Sequence, residues 1–256
     1  FSHSGNLNSF KTEAEVQIPR KRFSGVVNFK NLEITQGSID IVTPFPNWES
    51  TGAGFTHSGS PRRFETTGNV KTSFPGYEQF KGKLTHRGDL NRFNSGLLLE
   101  SSVPRFERIE TKLAHNGDIS AMNTDASVET TIPGYERFSF NLDHDGRDPS
   151  KVKSSVKVET PFRGMERFGA NMEHTGDMRR FTTSARVNSP IRGYERFGLD
   201  VDHRGDLDNF RTTSKLTTPF PAMREATVAV NHRGNLRDFN SGGSLEYNGK
   251  KMEGAA

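Results

Sequence analysis

Apolar and polar residues alternate along most of this chain with a period of two. The alternation is clearest in residues 197–202, where polar or small residues separate Phe197, Leu199 and Val201, and it recurs more weakly in residues 210–217. A period of two is typical of a β-strand with one apolar and one polar face. The two segments therefore predict two amphipathic strands joined by a short connection, which is a β-hairpin.

The same pattern returns at a nearly constant interval. All eight histidines occur in a His-x-Gly tripeptide, at His3, His57, His86, His115, His144, His174, His203 and His232. After a first gap of 54 residues, the spacings are 29, 29, 29, 30, 29 and 29 residues. A period of about 20 to 50 residues is the signature of a repeat architecture. The chain is therefore predicted to be a tandem array of one supersecondary unit.

Glycine and proline mark the two ends of each predicted hairpin. Asn116-Gly117 and Asp145-Gly146 favour a type I′ turn, because both central residues can take positive φ. At the other end, Pro75-Gly76 and Pro133-Gly134 favour a type II turn, in which proline sets φ and glycine supplies positive φ. The predicted turn-forming glycines of the histidine ends are Gly59, Gly88, Gly117, Gly146, Gly176, Gly205 and Gly234.

Together these elements predict an all-β fold. The expected architecture is an extended antiparallel meander of about eight tandem 29-residue β-hairpins, which form one large amphipathic sheet, flat or curled. Residues 1–256 are expected to be a single array and a fragment of a longer chain. Its expected divisions are a partial unit at 1–17, a degenerate short unit at 18–43, regular units at 44–244 and a divergent tail at 245–256.

Two segments depart from the regular pattern. In the degenerate unit, Phe29 stands where the His-x-Gly tripeptide is expected. In the divergent tail, Tyr247-Asn248-Gly249-Lys250 predicts one more hairpin turn.

The composition narrows the possible partners. Hydrophobic residues make up 31% of the chain, charged residues 26%, the mean hydropathy is −0.74 and the formal net charge is +4. Both signs of charge are interleaved in every unit, so there is no basic stripe of the kind that follows a phosphate backbone, and nucleic acid is not an expected partner. The chain has no cysteine, which leaves the redox compartment open, and no run of 18 apolar residues.

The apolar side of such a sheet is too large to remain uncovered. Its area is on the order of 2,500 Å², whereas monomeric proteins seldom expose apolar patches beyond a few hundred Å². It must be covered by another sheet, by closure of the sheet on itself, or by an apolar phase. The residues expected on this face, as candidate lipid contacts, are Phe138, Phe140, Leu142, Phe168, Phe181, Val187, Phe197, Leu199, Val201, Phe210, Leu216, Val228, Val230 and Phe239.

Two motifs carry a family resemblance. They are Thr160-Pro-Phe-Arg-Gly-Met-Glu166 with its sister copies, and Leu245-Glu-Tyr-Asn-Gly-Lys-Lys251. Tandem hairpins of this kind resemble the long β-sheet regions of apolipophorins, which belong to the large lipid transfer proteins together with apolipoprotein B and vitellogenin. The resemblance covers nearly the whole chain. It implies a secreted, non-catalytic carrier whose sheet lies on a particle of neutral lipid and phospholipid, with bound lipid in place of a cofactor.

Two other functions use the same residues. One is an extracellular structural filament or scaffold, in which the apolar face packs on a neighbouring sheet of the same or a related chain in a higher-order assembly, since tandem repeats can propagate without a natural end. The other is a transmembrane β-barrel, with aromatic residues near both ends of the strands as girdles.

The repeated polar residues do not predict an enzyme. Carboxylates recur in every unit, and no phosphate-binding glycine loop, Ser-His-Asp arrangement or metal-binding helix motif is present. Successive histidines lie two strands apart, about 9.6 Å, which is too far to share a metal ion. Each histidine is expected to hydrogen-bond the Asp or Asn after its glycine.

Pairs such as Glu195-Arg196 are expected to face water and neighbouring strands. Two copies also spell Arg-Gly-Asp, at Arg87–Asp89 and Arg204–Asp206.

Overall fold

The computed structural model describes residues 1–19, 21–235 and 238–255. These residues form nineteen β-strands that run in an antiparallel meander, as the sequence predicts, and one 3-10 turn at Pro221–Met223. None of the described segments is a helix of the length and apolar character needed to cross a membrane.

The strand bounds follow the repeat. The first ten strands are β1 (Ser2–Asn6), β2 (Ser9–Ile18), β3 (Lys21–Asn31), β4 (Ile34–Val42), β5 (Ser50–Ser60), β6 (Arg63–Thr72), β7 (Gln79–Gly88), β8 (Arg92–Ser101), β9 (Arg108–Asp118) and β10 (Ala121–Thr130). The others are β11 (Arg137–Asp145), β12 (Lys151–Glu159), β13 (Arg167–Asp177), β14 (Arg180–Asn188), β15 (Arg196–Gly205), β16 (Asn209–Thr217), β17 (Glu225–Gly234), β18 (Phe239–Tyr247) and β19 (Lys250–Ala255).

The chain divides into two compact units. Unit 1 comprises Phe1–His115 and Ala126–Arg137, and unit 2 comprises Asn116–Asp125 and the chain from Phe138 onward. In unit 1, each strand from β2 to β7 pairs antiparallel with the strand before it and the strand after it. In unit 2, the same neighbour pairing runs from β11 to β19.

Neither unit has a buried apolar core. Among the described residues, no apolar side chain of a large residue is buried, and Leu199, for example, remains 41% exposed. Across the described residues, each unit consists of strands and the short turns that join them, with no α-helix to cover the apolar side. The apolar side of each unit is therefore a surface.

The histidine ends of the hairpins reverse direction later than the sequence predicts. In the β15–β16 hairpin, Asp206 N donates to Asn209 O over 2.8 Å, so the loop residues are Leu207 and Asp208. Gly205 lies before this reversal, in a strand, with a φ of 124°. The same positive φ occurs at Gly59, Gly88, Gly117, Gly176 and Gly234.

The type I′ turns predicted at Asn116-Gly117 and Asp145-Gly146 are therefore wrong. Gly117 has a φ of 121° but precedes the two-residue turn at Ile119–Ser120. Gly146 does not take positive φ at all and lies in the loop between β11 and β12. This repeat has one extra residue, since His144 pairs with Ser154, ten positions away, whereas His174 pairs with Thr183, nine positions away. With the longer loop, the chain reverses direction without a positive φ at Gly146.

The proline ends match the prediction. Tyr77 N donates to Phe74 O over 3.0 Å, and Gly76 has a φ of 82°, as expected for a type II turn with Pro75 at its second position. Asn47 and Arg105 take positive φ at the equivalent position in two other repeats. In the last repeat Ala222 stands there, and the turn is instead the 3-10 turn, because alanine resists positive φ.

The predicted hairpin in the tail is also present. Tyr247 pairs with Lys250, and the two residues between them, Asn248 and Gly249, have φ values of 46° and 79°. Positive φ at both central residues is what a type I′ turn requires. Here the Asn-Gly pair itself fills the two loop positions, whereas at the histidine ends the glycine lies in the strand before the loop.

Candidate functional site

The register brings the apolar positions of neighbouring strands onto one side of the sheet. In unit 2, Leu199 of β15 lies opposite Ala185 of β14 and Leu216 of β16. Directly paired residues project from the same face, and residues two apart on one strand do so as well. We call this side the apolar face and the opposite side the polar face. The residues predicted as candidate lipid contacts all lie on the apolar face of unit 2.

Unit 1 has an apolar face of its own, which the sequence prediction did not name. A groove crosses it, lined by residues of the eight successive strands β2 to β9, among them Val27, Phe29, Ile39, Phe55, Val70 and Phe80. The period-two pattern in β3 to β7 could have identified these residues. Only the pairing of strands, however, shows that they lie side by side.

Glycines deepen this groove. Gly68 lies opposite Gly82, so that two neighbouring strands have no side chain at that level. On β4, Gly37 lies opposite Phe55, and a Cβ atom at Gly37 would be 2.6 Å from Cε1 of the Phe55 ring. The aromatic ring therefore lies across the glycine. A surface with such gaps can accept flexible chains between its side chains.

Histidine and phenylalanine rings form a ladder near the histidine ends of the apolar face. In unit 1, Phe64 lies opposite His86, with ring centroids 5.4 Å apart and ring planes at 26°. In unit 2, Phe181 and His203 stack with centroids 4.9 Å apart. The degenerate repeat keeps the contact, because Phe29 lies opposite Phe10 at 5.5 Å. Offset aromatic pairs of this kind contribute about 0.5–1.5 kcal/mol beyond their buried area.

The sequence led us to expect that each histidine bonds the Asp or Asn after its glycine. Seven histidines instead bond a hydroxyl group of the adjacent strand, namely His3, His57, His86, His144, His174, His203 and His232. Nδ1 of His203 lies 2.8 Å from the hydroxyl of Thr212 on the adjacent strand, and His86 makes the same contact with Ser95. The acidic residue after the glycine instead caps the loop: Asp89 Oδ1 accepts hydrogen bonds from the backbone amides of Asn91 and Arg92. These amides are the main reason that the pKa of Asp89 lies below its usual range.

The aspartate that caps the loop is also the last residue of each Arg-Gly-Asp tripeptide. Asp206 Oδ1 accepts from the backbone amides of Asp208 and Asn209 over 3.1 and 3.0 Å. In the same tripeptide, Arg204 bonds Asp202. The carboxylate and the guanidinium of the tripeptide therefore each have a partner within the hairpin.

The glutamates at the proline ends have a different partner from the one predicted. Glu195 Oε1 accepts a hydrogen bond from the backbone amide of Gly193 over 2.9 Å, and Glu136 does the same with Gly134. The bond from Gly193 is the first cause of a lowered pKa at Glu195. Glu195 is exposed to water, and its carboxylate also holds its own turn, a contact that the sequence did not predict.

The polar face carries ion pairs between neighbouring strands. Arg186 binds both carboxylate oxygens of Asp200 over 2.6 and 2.8 Å, and Lys153 lies 2.8 Å from Glu173. These side chains are about half exposed, so each pair adds only about 0–1 kcal/mol to stability. They keep this side of the sheet hydrated.

The sequence prediction also missed the residues at the hairpin tips. Among the hairpin tips that the structure describes, the first loop residue is a nearly fully exposed apolar side chain at Leu7, Leu90, Ile119, Met178 and Leu207. Arginines lie around several of these tips. The sequence signal for these residues is an Asp or Asn followed by an apolar residue, directly after His-x-Gly.

Within the described part of the chain, no three His, Asp or Glu side chains lie close enough together to hold a metal ion. No protein-family model, curated protein or solved structure matches the chain.

Proposed function

We propose that the apolar face binds lipid, and that this chain is a non-catalytic, lipid-carrying region of a secreted lipoprotein-type particle. The observation that carries the proposal is the absence of a buried apolar core in the described residues, although apolar side chains are gathered on one face. Exposed apolar area of this extent is unfavourable in water by about 25 cal/mol per Å². A lipid phase would remove that cost.

The uneven surface of the apolar face, with large side chains next to very small residues, favours lipid over a second protein layer. Large side chains such as Phe55 and Leu199 alternate with Gly68, Gly82 and Ser214, which leave gaps in the surface. Protein interiors are packed about as densely as organic crystals, and gaps in a rigid layer lose contacts. Acyl chains adapt to such gaps. The resemblance of the hairpins to apolipophorin β-sheets supports the same proposal.

A structural scaffold is the competing function. In it the apolar face would pack on the apolar face of another copy, and the tandem repeat would extend the assembly. This alternative makes a different prediction, because a scaffold would form ordered, lipid-free assemblies.

The test is binding of the full chain to a trioleoylglycerol emulsion coated with phosphatidylcholine. The variant is Leu199→Ser with Leu216→Ser, a directly opposed pair on the apolar face. The control is Asp200→Ser with Lys215→Ser, a directly opposed pair on the polar face of the same two strands. Neither double variant changes the net charge. Burial of a leucine is worth about 1.5–3 kcal/mol, so we expect the apolar-face variant to bind at least about tenfold more weakly and the control to bind like the natural chain.

Two results would contradict the proposal. One is equal binding by the apolar-face variant and the control. The other is a natural chain that stays off the emulsion and forms lipid-free fibres, which would favour the scaffold.

A further inference from the structure

Four arginines gather at two adjacent hairpin tips of unit 1. Arg62 and Arg63 lie at the tip between β5 and β6, and Arg87 and Arg92 flank the tip between β7 and β8. All four side chains belong to exposed residues. The acidic residue within these tips is Asp89, whose carboxylate caps its own loop and also interacts electrostatically with Arg62 and Arg92. We call Arg62, Arg63, Arg87 and Arg92 the tip cluster.

The register places two of these arginines directly against each other. Arg63 of β6 pairs with Arg87 of β7 on the polar face. Like charges directly opposite each other destabilise an antiparallel pair. Two residues further along β6, Glu65 does form an ion pair, with Lys83 at 3.0 Å. Among the described residues, no carboxylate lies within ion-pair distance of Arg63 or Arg87. The pair therefore concentrates positive charge that an external anion can neutralise.

An exposed leucine lies beside this charge. Leu90, the first loop residue of the β7–β8 hairpin, is 90% exposed. Because Leu90 projects from its loop, little of its side chain contacts the rest of the protein. Its apolar surface would be more stable at the boundary between water and lipid than in water. An arginine and an apolar side chain at one tip are the combination found in segments that bind the interface of a membrane.

We propose that the tip cluster binds phosphate groups of anionic phospholipids, while Leu90 enters the headgroup layer. This inference rests on the proposed lipid-binding function and adds to it the lipid class and the end of the strands that meets the surface layer. Guanidinium groups suit this role because they bind phosphate oxygens through two parallel hydrogen bonds. The apolar face and the tip would then contact different parts of one particle, the neutral lipid and the phospholipid coat.

A nucleic acid or a free phosphate ion explains less of the same surface. A nucleic acid would require the cluster to extend along the sheet, whereas the polar face away from the tips carries paired charges of both signs. Free phosphate would account for the arginines but leave Leu90 without a function. The two observations together favour a phospholipid surface.

The experiment measures binding of the full chain to phosphatidylcholine vesicles with and without phosphatidylserine. The charge variant is Arg63→Gln with Arg87→Gln. Its matched control is Lys71→Gln with Lys81→Gln, which removes the same charge from the same two strands and the same face, at the opposite end. A second variant, Leu90→Ser, tests the apolar contribution without changing the charge.

We expect binding that requires phosphatidylserine and weakens with added salt. A basic residue near an anionic membrane contributes about 1 kcal/mol, which corresponds to about fivefold in affinity. The charge variant should therefore bind about 25-fold more weakly, and the control should stay within about twofold of the natural chain. Leu90→Ser should weaken vesicle binding by about tenfold.

The inference is overturned if the two lysine-to-glutamine changes weaken binding as much as the arginine changes, because net charge would then be the cause. It is also overturned if Leu90→Ser binds like the natural chain or if inorganic phosphate competes as well as vesicles do. These outcomes are separate from failure of the proposed function. A tip-cluster variant that still binds the trioleoylglycerol emulsion through Leu199 and Leu216 would leave lipid binding intact and remove only the tip contact.

Discussion

Gly205 lies directly opposite Phe210 at the end of the β15–β16 pair, with a φ of 124°. A Cβ atom at Gly205 would be 1.9 Å from the carbonyl oxygen of Asn209 and 2.5 Å from Cα of Phe210. The glycine therefore lets the two strands approach closely just before the chain reverses. Its counterparts Gly59, Gly88, Gly176 and Gly234 face phenylalanines in the same way.

This relationship predicts that Gly205→Val opens the hairpin. A non-glycine residue at positive φ costs about 1–3 kcal/mol, and the clash with Asn209 adds to that. Gly243→Ala on β18 is the control, because its backbone has no positive φ and its nearest neighbour lies at 3.8 Å. Hydrogen exchange of the β15 and β16 amides should rise in Gly205→Val and stay unchanged in the control. Unchanged protection in Gly205→Val would show that the close approach is not needed.

The histidine ladder predicts that phenylalanine can replace histidine. Phe29 already occupies the position opposite Phe10 that His86 occupies opposite Phe64. His203→Phe keeps the stacking on Phe181 and loses one hydrogen bond to Thr212, so the free energy of unfolding should change by less than about 1 kcal/mol. His203→Asp loses both contacts and places a charge on the apolar face, and it should cost more. Chemical denaturation of both variants tests this order, and equal losses would mean that the ring contact contributes nothing.

The glutamate caps at the proline ends predict a loss of stability in acid. The backbone amide of Gly193 lowers the pKa of Glu195 below its ordinary value of 4.5. Because the folded pKa is the depressed one, this stabilisation is fully present above 4.5 and is lost as the pH falls through the folded value. Glu195→Gln should therefore be less stable than the natural chain at neutral pH, and the two thermal midpoints should converge in acid. A difference that stays constant with pH would rule out this carboxylate as its source.

The exposed apolar face predicts that leucine truncation is mild in the lipid-free chain. Truncation of a buried leucine to alanine costs about 2–5 kcal/mol. Leu199 is 41% exposed, so Leu199→Ala should cost less than about 1.5 kcal/mol in the absence of lipid. Denaturant titration of the monomer measures this value. A loss of the size seen in a buried core would show that something covers the face in solution.

The sequence by itself determined the strands, their order and their two faces. The period of two sets which residues share a face, and the 29-residue repeat sets how often the chain reverses. The Pro-Gly turns were also determined locally, because the conformations of proline and glycine leave few alternatives over four residues. The face assignment of Phe197, Leu199 and Val201 needed no more than this alternation.

Only the tertiary structure decided which side chains meet across strands. Hydrogen bonds between strands fix the register, and a shift of one residue would bring different partners together. The sequence therefore did not reveal that His203 bonds Thr212, that Arg63 faces Arg87, or that Gly205 precedes the reversal instead of forming it. Each of these features depends on the register, that is, on which residue of the neighbouring strand lies opposite.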